Sequence, residues 1–144
     1  MIGKTITELS VGDAAEFAKT VSESDIYLYA GITGDLNPAH VNEEYAKGTF
    51  FKTRIAHGML AAGFISTVMG TRLPGPGTVY VKQGLIFLAP VYMGDTITAR
   101  VEVKEIMTEK NRLKLRTFCV NQDGTTVMDG EALVSPPKAP KQDG

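Results

Sequence analysis

Within "GDLNPAHVN", residues 34–42, the chain sets Asp35, Asn37, Pro38 and His40 inside six positions. A carboxylate and an imidazole titrate in different ranges, so one can take a proton while the other gives one. His40 is one of only two histidines, so its place beside an acid is worth testing. Asp, Asn and Pro are also ordinary turn residues, and the same stretch reads as a connection between two helices. "IAHGML", residues 55–60, holds the second histidine, His57, followed by Gly58. A helix that begins there presents free N–H groups and a partial positive charge, and a glycine leaves that end open to an oxygen atom. Gly58 reads equally as a close-packing glycine. His57, beside a helix start, reads as a hydrogen-bonded support.

The surrounding elements must position these residues. Ser22, three places before Asp25, predicts a helix start with a capping box, and the acid suits the positive end of the dipole. Val21 and Ile26 stand where a hydrophobic staple would close over it. That helix carries Ile26, Tyr29, Ala30 and Thr33 near one face and stops at Gly34. "DAAEFAKTV", before it, reads as a strand. Pro38 prevents simple continuation and pushes Asn37 towards an extended conformation. Asn42, with Glu43 and Glu44 behind it, caps a short second helix over "EEYAKG". Asp35, Asn37 and His40 are therefore expected on a short fixed loop, with the Asn37 amide tying its backbone.

Residues 56–73, "AHGMLAAGFISTVMGTRL", carry almost no charge before Arg72. Such a helix is expected to be buried all round or wrapped by a sheet. Ala61, Ala62, Gly63, Ser66 and Gly70 permit close approach of other backbones. "LPGPG" breaks the chain, and strands follow. "TVYVKQGLIFLAPV" is strand-forming, with Gly84 read as a bulge. "GDTITARVEVKEI" alternates, with Ile97, Ala99, Val101 and Val103 on one side. "NRLKLRTFCV" alternates again, Asp123-Gly124 signals a hairpin, and "TTVMDGEALVS" is the last strand. With the early strand this makes about five, mostly antiparallel, around one apolar helix: an α+β chain. Residues 1–135 are expected as one domain and 136–144, "PPKAPKQDG", as a flexible tail.

Composition closes off several functions. A chain of 144 residues with 43% hydrophobic and 22% charged residues can bury an ordinary globular core. A formal net charge of −1 gives no footprint for nucleic acid. No apolar run approaches the roughly 20 residues of a membrane span. "MIGKTITELS" has no apolar signal core, so a cytoplasmic location is expected. Cys119 is the only cysteine, which excludes an internal disulfide, and its strand-like setting predicts a small buried residue. Two histidines far apart along the chain, with one cysteine, predict no zinc site and no other metal. "GTRLPGPG" lacks the Lys-Ser/Thr of a phosphate loop. Lys52, Arg54, Lys82 and Arg112 read as solvated charges.

The two motifs, in this order and about twenty residues apart, resemble those of the MaoC-like hydratases: "GDLNPAH" matches an Asp-x-Asn-Pro-x-His signature, and "IAHGML" follows. "PVYMGDTI" is also similar to the family's turn and third sheet segment. The resemblance runs from about residue 6 to residue 134. It implies a single hot-dog domain: a curled antiparallel sheet wrapped around a long central helix, with an overhanging helix-loop segment. It implies (R)-specific enoyl-CoA hydratase activity, the syn addition of water to a trans-2-enoyl thioester to give the (R)-3-hydroxyacyl-CoA. It implies a homodimer, or a higher oligomer, with sheets joined edge to edge. No cofactor is implied, since coenzyme A is part of the substrate.

By the resemblance, Asp35 and His40 are the catalytic pair and the Gly58 N–H binds the thioester oxygen. Ser66 supports the active-site loop together with Asn37. The chemistry fits: water must lose a proton as it attacks C3, C2 must gain one, and the oxygen must be stabilised as charge develops. Asp35 is assigned as base and His40 as proton donor, although the reverse uses the same residues. His57 is expected behind the pair. Met59, Phe64, Ile65 and Met69 are expected to wall the acyl chain, and one or two cations to meet the coenzyme A phosphates. Arg54 stands where the family often has proline, and Asn42 where it often has an acid. Three other functions share the fold. A thioesterase usually places an acid on the central helix, and residues 57–72 contain none. A dehydratase of acyl-carrier-protein thioesters uses the same pair, and a non-catalytic acyl-CoA-binding module has no need of it.

Overall fold

Alternation sets the sheet. In a computed structural model describing residues 1–141, strand β3 (Thr96–Met107) buries Ile97, Ala99, Val101 and Val103 completely while the intervening side chains stay accessible. β4 (Arg112–Val120) repeats the pattern through Leu113, Leu115, Thr117 and Cys119. Completing the sheet are β1 (Ala14–Thr20), β2 (Val79–Phe87) and β5 (Thr126–Ser135). The order is β1-β3-β4-β5-β2 and every neighbouring pair is antiparallel. The β4–β5 turn is closed by Asn121, whose side-chain oxygen accepts from the N–H groups of Asp123 and Thr125, while Gly124 takes φ 77°.

The buried face of the sheet receives helix α4 (Gly58–Thr71), which packs against β1, β3 and β4. Ala61, Phe64, Ile65, Val68 and Met69 point into this core. Each large apolar side chain buried in this way contributes roughly 1.5–3 kcal/mol. Of the two arrangements expected for this helix, packing by the sheet is found and burial all round is not. Met59, Gly63, Ser66 and Gly70 are exposed on the single chain, because the sheet covers only one side of α4. This is the hot-dog arrangement, with the long helix laid on a five-stranded antiparallel sheet.

β2 forms one edge of the sheet and leaves Val79, Tyr80, Val81, Ile86 and Phe87 exposed. Its register shift falls between Tyr80 and Lys82, so the irregularity expected at Gly84 lies at Val81 instead. The close approach falls at Gly130 of β5, where a Cβ would run into the Gly84 carbonyl oxygen. The expected tail also begins later. Pro136 and Pro137 are buried, the Pro136 carbonyl accepts from Asn111 Nδ2 at 2.9 Å, and Pro137 packs at Gly77. Residues 142–144 of the expected tail lie outside the described residues. Among the described residues no helix is long and apolar enough to cross a membrane.

Cys119 is fully buried, with its thiol 3.8 Å from the Ala61 carbonyl, and burial pushes its pKa up to about 12. A thiol reagent at pH 8 is therefore expected to leave the native protein unlabelled and to label one group per chain on unfolding. Fast labelling of the native state would show that α4 separates from β4 without global unfolding.

Candidate active site

The site grows from two helix ends. α1 (Glu23–Thr33) starts at the expected capping box: Asp25 N–H donates to Ser22 Oγ at 3.1 Å and Ser22 N–H to Asp25 Oδ2 at 3.0 Å. Lys19, hydrogen-bonded to Asp25, and the Ser22 N–H hold that carboxyl below its usual range. Val21 and Ile26 are both fully buried beside the cap. At the other end Gly34 takes φ 81°, and its N–H closes the helix on Ala30. Asp35 follows, exposed, with Oδ1 accepting from Asn37 N–H at 3.2 Å. Asn37 Oδ1 accepts in turn from Ala39 N–H at 3.0 Å.

The expected plain loop is corrected here. Pro38 stops α1 but also opens a single helical turn of its own, α2 (Pro38–Val41), and His40 sits inside that turn. A proline fits a first helical position because that position needs no N–H, and Asn37 supplies the cap. Asn42 then caps α3 (Glu43–Ala46), accepting from Tyr45 N–H at 3.1 Å.

His40 is 8% exposed, and its Nδ1 lies 2.7 Å from the Ile55 carbonyl oxygen. A carbonyl only accepts, so Nδ1 carries hydrogen and Nε2 is the nitrogen left for proton exchange. Ile55 also donates its N–H to the Ala39 carbonyl at 3.2 Å, so this residue grips the His40 turn twice.

The two histidines, far apart in sequence, are stacked with ring centroids 3.8 Å apart. The Tyr29 ring also packs on His57, tilted by 50° with centroids 4.6 Å apart. His57 Nε2–H donates to the Asp35 carbonyl at 3.0 Å, while its Nδ1 is buried without a partner. Asp35, His40 and His57 thus bring donor atoms within 4.8 Å of one another. The ground given above against a metal, distance between the histidines, is removed by this contact.

His57 is also the N-cap of α4, and its side chain makes no capping bond. Of the first N–H groups of α4, that of Leu60 reaches the His57 carbonyl at 3.0 Å, and those of Gly58 and Met59 have no acceptor within the helix. The Phe87 ring lies against the Gly58 Cα, and a Cβ there would fall 2.6 Å from it. Gly58 is therefore a close-packing glycine as well as a helix start. Beside it opens a cavity of about 540 Å³ lined by Phe50, Phe51, Ile55, Gly58, Met59 and Phe87, among others.

Of the four expected wall residues only Met59 lines this cavity. Phe64, Ile65 and Met69 are in the core because they occupy the face of α4 turned to the sheet. Ser66 lies on the exposed face of α4, and among the described residues its hydroxyl makes no hydrogen bond to the Asp35–His40 segment. Eight residues separate it from Gly58, about 12 Å along a helix. Asp35 and His40 do not line the cavity themselves, whereas Ile55 and Gly58 do.

Arg54, read above as solvated, has a side chain only 12% exposed and is held by two helices. Arg112 is likewise engaged, its Nη1 donating to the carbonyls of Lys110 and Asn111. Sequence reasoning missed Ile55 because it acts through its backbone carbonyl, which carries no side-chain signal. Phe50, Phe51 and Phe87 were missed because what marks them, their place on an apolar cavity with Phe50 and Phe87 exposed, arises only in the fold.

Residues 8–125 match the model of the MaoC like domain. The chain is 58% identical over 130 residues to an (R)-specific enoyl-CoA hydratase of Rhodospirillum rubrum, across 90% of each chain. It is 49% identical over 136 residues to a 3-hydroxybutyryl-CoA dehydratase of Methylorubrum extorquens, across 94% of this chain and 86% of the other. Among solved structures it is similar to the unliganded R-hydratase PhaJ1 from Pseudomonas aeruginosa, with a TM-score of 0.90 and 44% identity. That match covers 95% of this chain and 88% of the other.

Proposed function

This chain belongs to the MaoC-like domain family, and from that membership and its site we infer an (R)-specific enoyl-CoA hydratase. It adds water reversibly and in syn fashion to a trans-2-enoyl-CoA, giving the (R)-3-hydroxyacyl-CoA. The observation that carries this reading is the meeting of an Asp/His pair with a helix N-terminus next to an apolar cavity.

Asp35 accepts a proton from a water placed between its carboxylate and His40 Nε2. The water oxygen attacks C3 while His40, with hydrogen on both ring nitrogens, delivers its Nε2 proton to C2; the proton taken by Asp35 then passes to Nε2 and restores the pair. Both groups stand on one short segment, so both approach the same face of the alkene, which makes the addition syn. The thioester oxygen gains negative charge as the C2–C3 electrons shift, and the Gly58 N–H at the positive end of α4 stabilises it. One such donor contributes about 3–4 kcal/mol. His57 holds the Asp35 backbone through its carbonyl and stacks on His40, which suits a supporting role. Asn37 ties the segment between them. No step calls for a metal or for a cofactor other than the coenzyme A of the substrate.

The proposal includes a cytoplasmic homodimer joined along β2. A long apolar edge strand left unpaired is an association surface, and pairing two such edges covers it. α4 (Gly58–Thr71) holds no Asp or Glu, so the acid a hot-dog thioesterase uses there is missing.

With crotonyl-CoA, the enoyl absorbance is expected to fall and chiral analysis to give the (R)-3-hydroxy product. Release of free coenzyme A would make the protein a thioesterase, turnover confined to carrier-protein thioesters would move it to that substrate, and no turnover on any thioester would end the catalytic reading.

A further inference from the structure

A cation ties both ends of the catalytic segment to the residue that holds His40. Arg54 Nη2 donates to Glu23 Oε2 at 2.5 Å and Nη1 to the Tyr27 hydroxyl at 3.0 Å, both on α1. The guanidinium carbon also lies 5.6 Å from the Tyr27 ring centroid. Its Nε is within ion-pair distance of Glu43 Oε2 on α3, 3.4 Å, without making a hydrogen bond there, and the Arg54 backbone N–H donates to the same oxygen at 3.2 Å. The other Glu43 oxygen accepts from Thr53 Oγ1 at 2.8 Å. α1 enters the segment carrying Asp35 and His40, and α3 leaves it. The next residue after Arg54 is Ile55, whose carbonyl takes the His40 Nδ1 hydrogen.

We propose that Arg54 is a positioning residue of this active site: its guanidinium clasps α1 and α3 across the catalytic segment and so fixes the Ile55 carbonyl that orients His40. The proposal rests on the hydratase reading for its kinetic consequences only. Exposed ion pairs contribute little, but this guanidinium is itself largely desolvated, hydrogen-bonds Glu23 and Tyr27 of α1 and lies at ion-pair distance from Glu43 of α3. Its hydrogen bond to Glu23 raises the Arg54 pKa further, so the charge is permanent. Lysine offers one point charge and does not span Glu23, Tyr27 and Glu43 together. Arg54 does not line the cavity, and the loss on its removal is expected in turnover.

The test compares wild type with Arg54→Lys, Arg54→Met and Glu23→Gln, each checked by thermal unfolding. With crotonyl-CoA, kcat is expected to fall about 10-fold in both Arg54 variants and about 3-fold in Glu23→Gln, with KM within about twofold, as for a displaced catalytic group. In a His40→Ala background, Arg54→Met is expected to cost nothing more, because it acts through His40. A readout independent of turnover is the His40 Nδ1 proton in the 15N-labelled protein, expected to be protected in wild type and to exchange rapidly in Arg54→Met. Should Arg54→Met fail to fold, Arg54→Lys and Glu23→Gln carry the same two readouts. Unchanged kcat with a protected proton in the folded variants overturns the proposal, as does an equal loss in the His40→Ala background. Absence of turnover in wild type with the proton lost in Arg54→Met overturns the hydratase reading and leaves the clasp standing.

Discussion

His40→Ala and Asp35→Asn are each expected to lower enoyl-CoA hydration by at least ~100-fold, the lower end of what a positioned proton-transfer group supplies. The two variants remove different things. Asp35→Asn keeps an oxygen for the Asn37 N–H, now accepted at 3.2 Å, so the turn survives while the base is lost. His40→Ala removes the imidazole held by the Ile55 carbonyl and stacked on His57, and takes away Nε2. The double variant is expected to be little worse than either single one, because the mechanism proposed has both groups act on one water as a unit. The check is steady-state hydration of crotonyl-CoA alongside circular dichroism, so that loss of turnover is separated from loss of fold. A folded variant with a near-normal rate in either case would sink the pair.

The second large effect is structural and sits away from the chemistry. Gly130→Ala is expected to destabilise the chain by about 3 kcal/mol, the upper end of ordinary single-residue effects. A Cβ at Gly130 would lie 1.9 Å from the Gly84 carbonyl oxygen, 2.9 Å from its carbon and 3.1 Å from Leu85 Cα. These are backbone atoms of β2, so no side chain can rotate away; the two strands must separate instead. A fall in melting temperature of roughly 10 °C corresponds to that cost for a domain of this size. Gly84→Ala is the control. A Cβ there meets nothing nearer than the Glu131 oxygen at 3.9 Å, and the change is expected to stay within about 1 kcal/mol. Equal shifts in both variants would mean that the strands are not in the close approach described. β2 carries Phe87, which lies on Gly58, so parting β2 from β5 also disturbs the cavity.

Much of the local structure was legible because its causes are local. Ser22 with Asp25, Gly34 after Thr33 and Asn42 before Glu43 each place a specific hydrogen bond or φ angle within a few residues. Alternation in β3 was legible for the same reason, since period-two burial follows from strand geometry alone. The motif pair at residues 34–42 and 55–60 pointed to a family, and the family to a reaction. Even so, the local reading of Pro38 was incomplete. A proline that ends one helix is also suited to begin another, and capping by Asn37 made that the outcome.

By itself, then, the amino-acid sequence determined the helix ends, the inward faces of the strands, the α+β class and the residue types able to move a proton. Only the tertiary structure decided which of them meet. β1 pairs with β3 and β2 with β5 across long stretches of chain, which leaves β2 as an apolar edge. The same packing stacks His40 on His57, sets the Ile55 carbonyl on His40 Nδ1 and closes Arg54 over α1 and α3. It turns Phe64, Ile65 and Met69 into the core and leaves Met59 at the cavity. The physical reason is that caps and pleats act within one turn or one strand, whereas burying the apolar face of α4 on the sheet fixes distances between residues that no local rule relates.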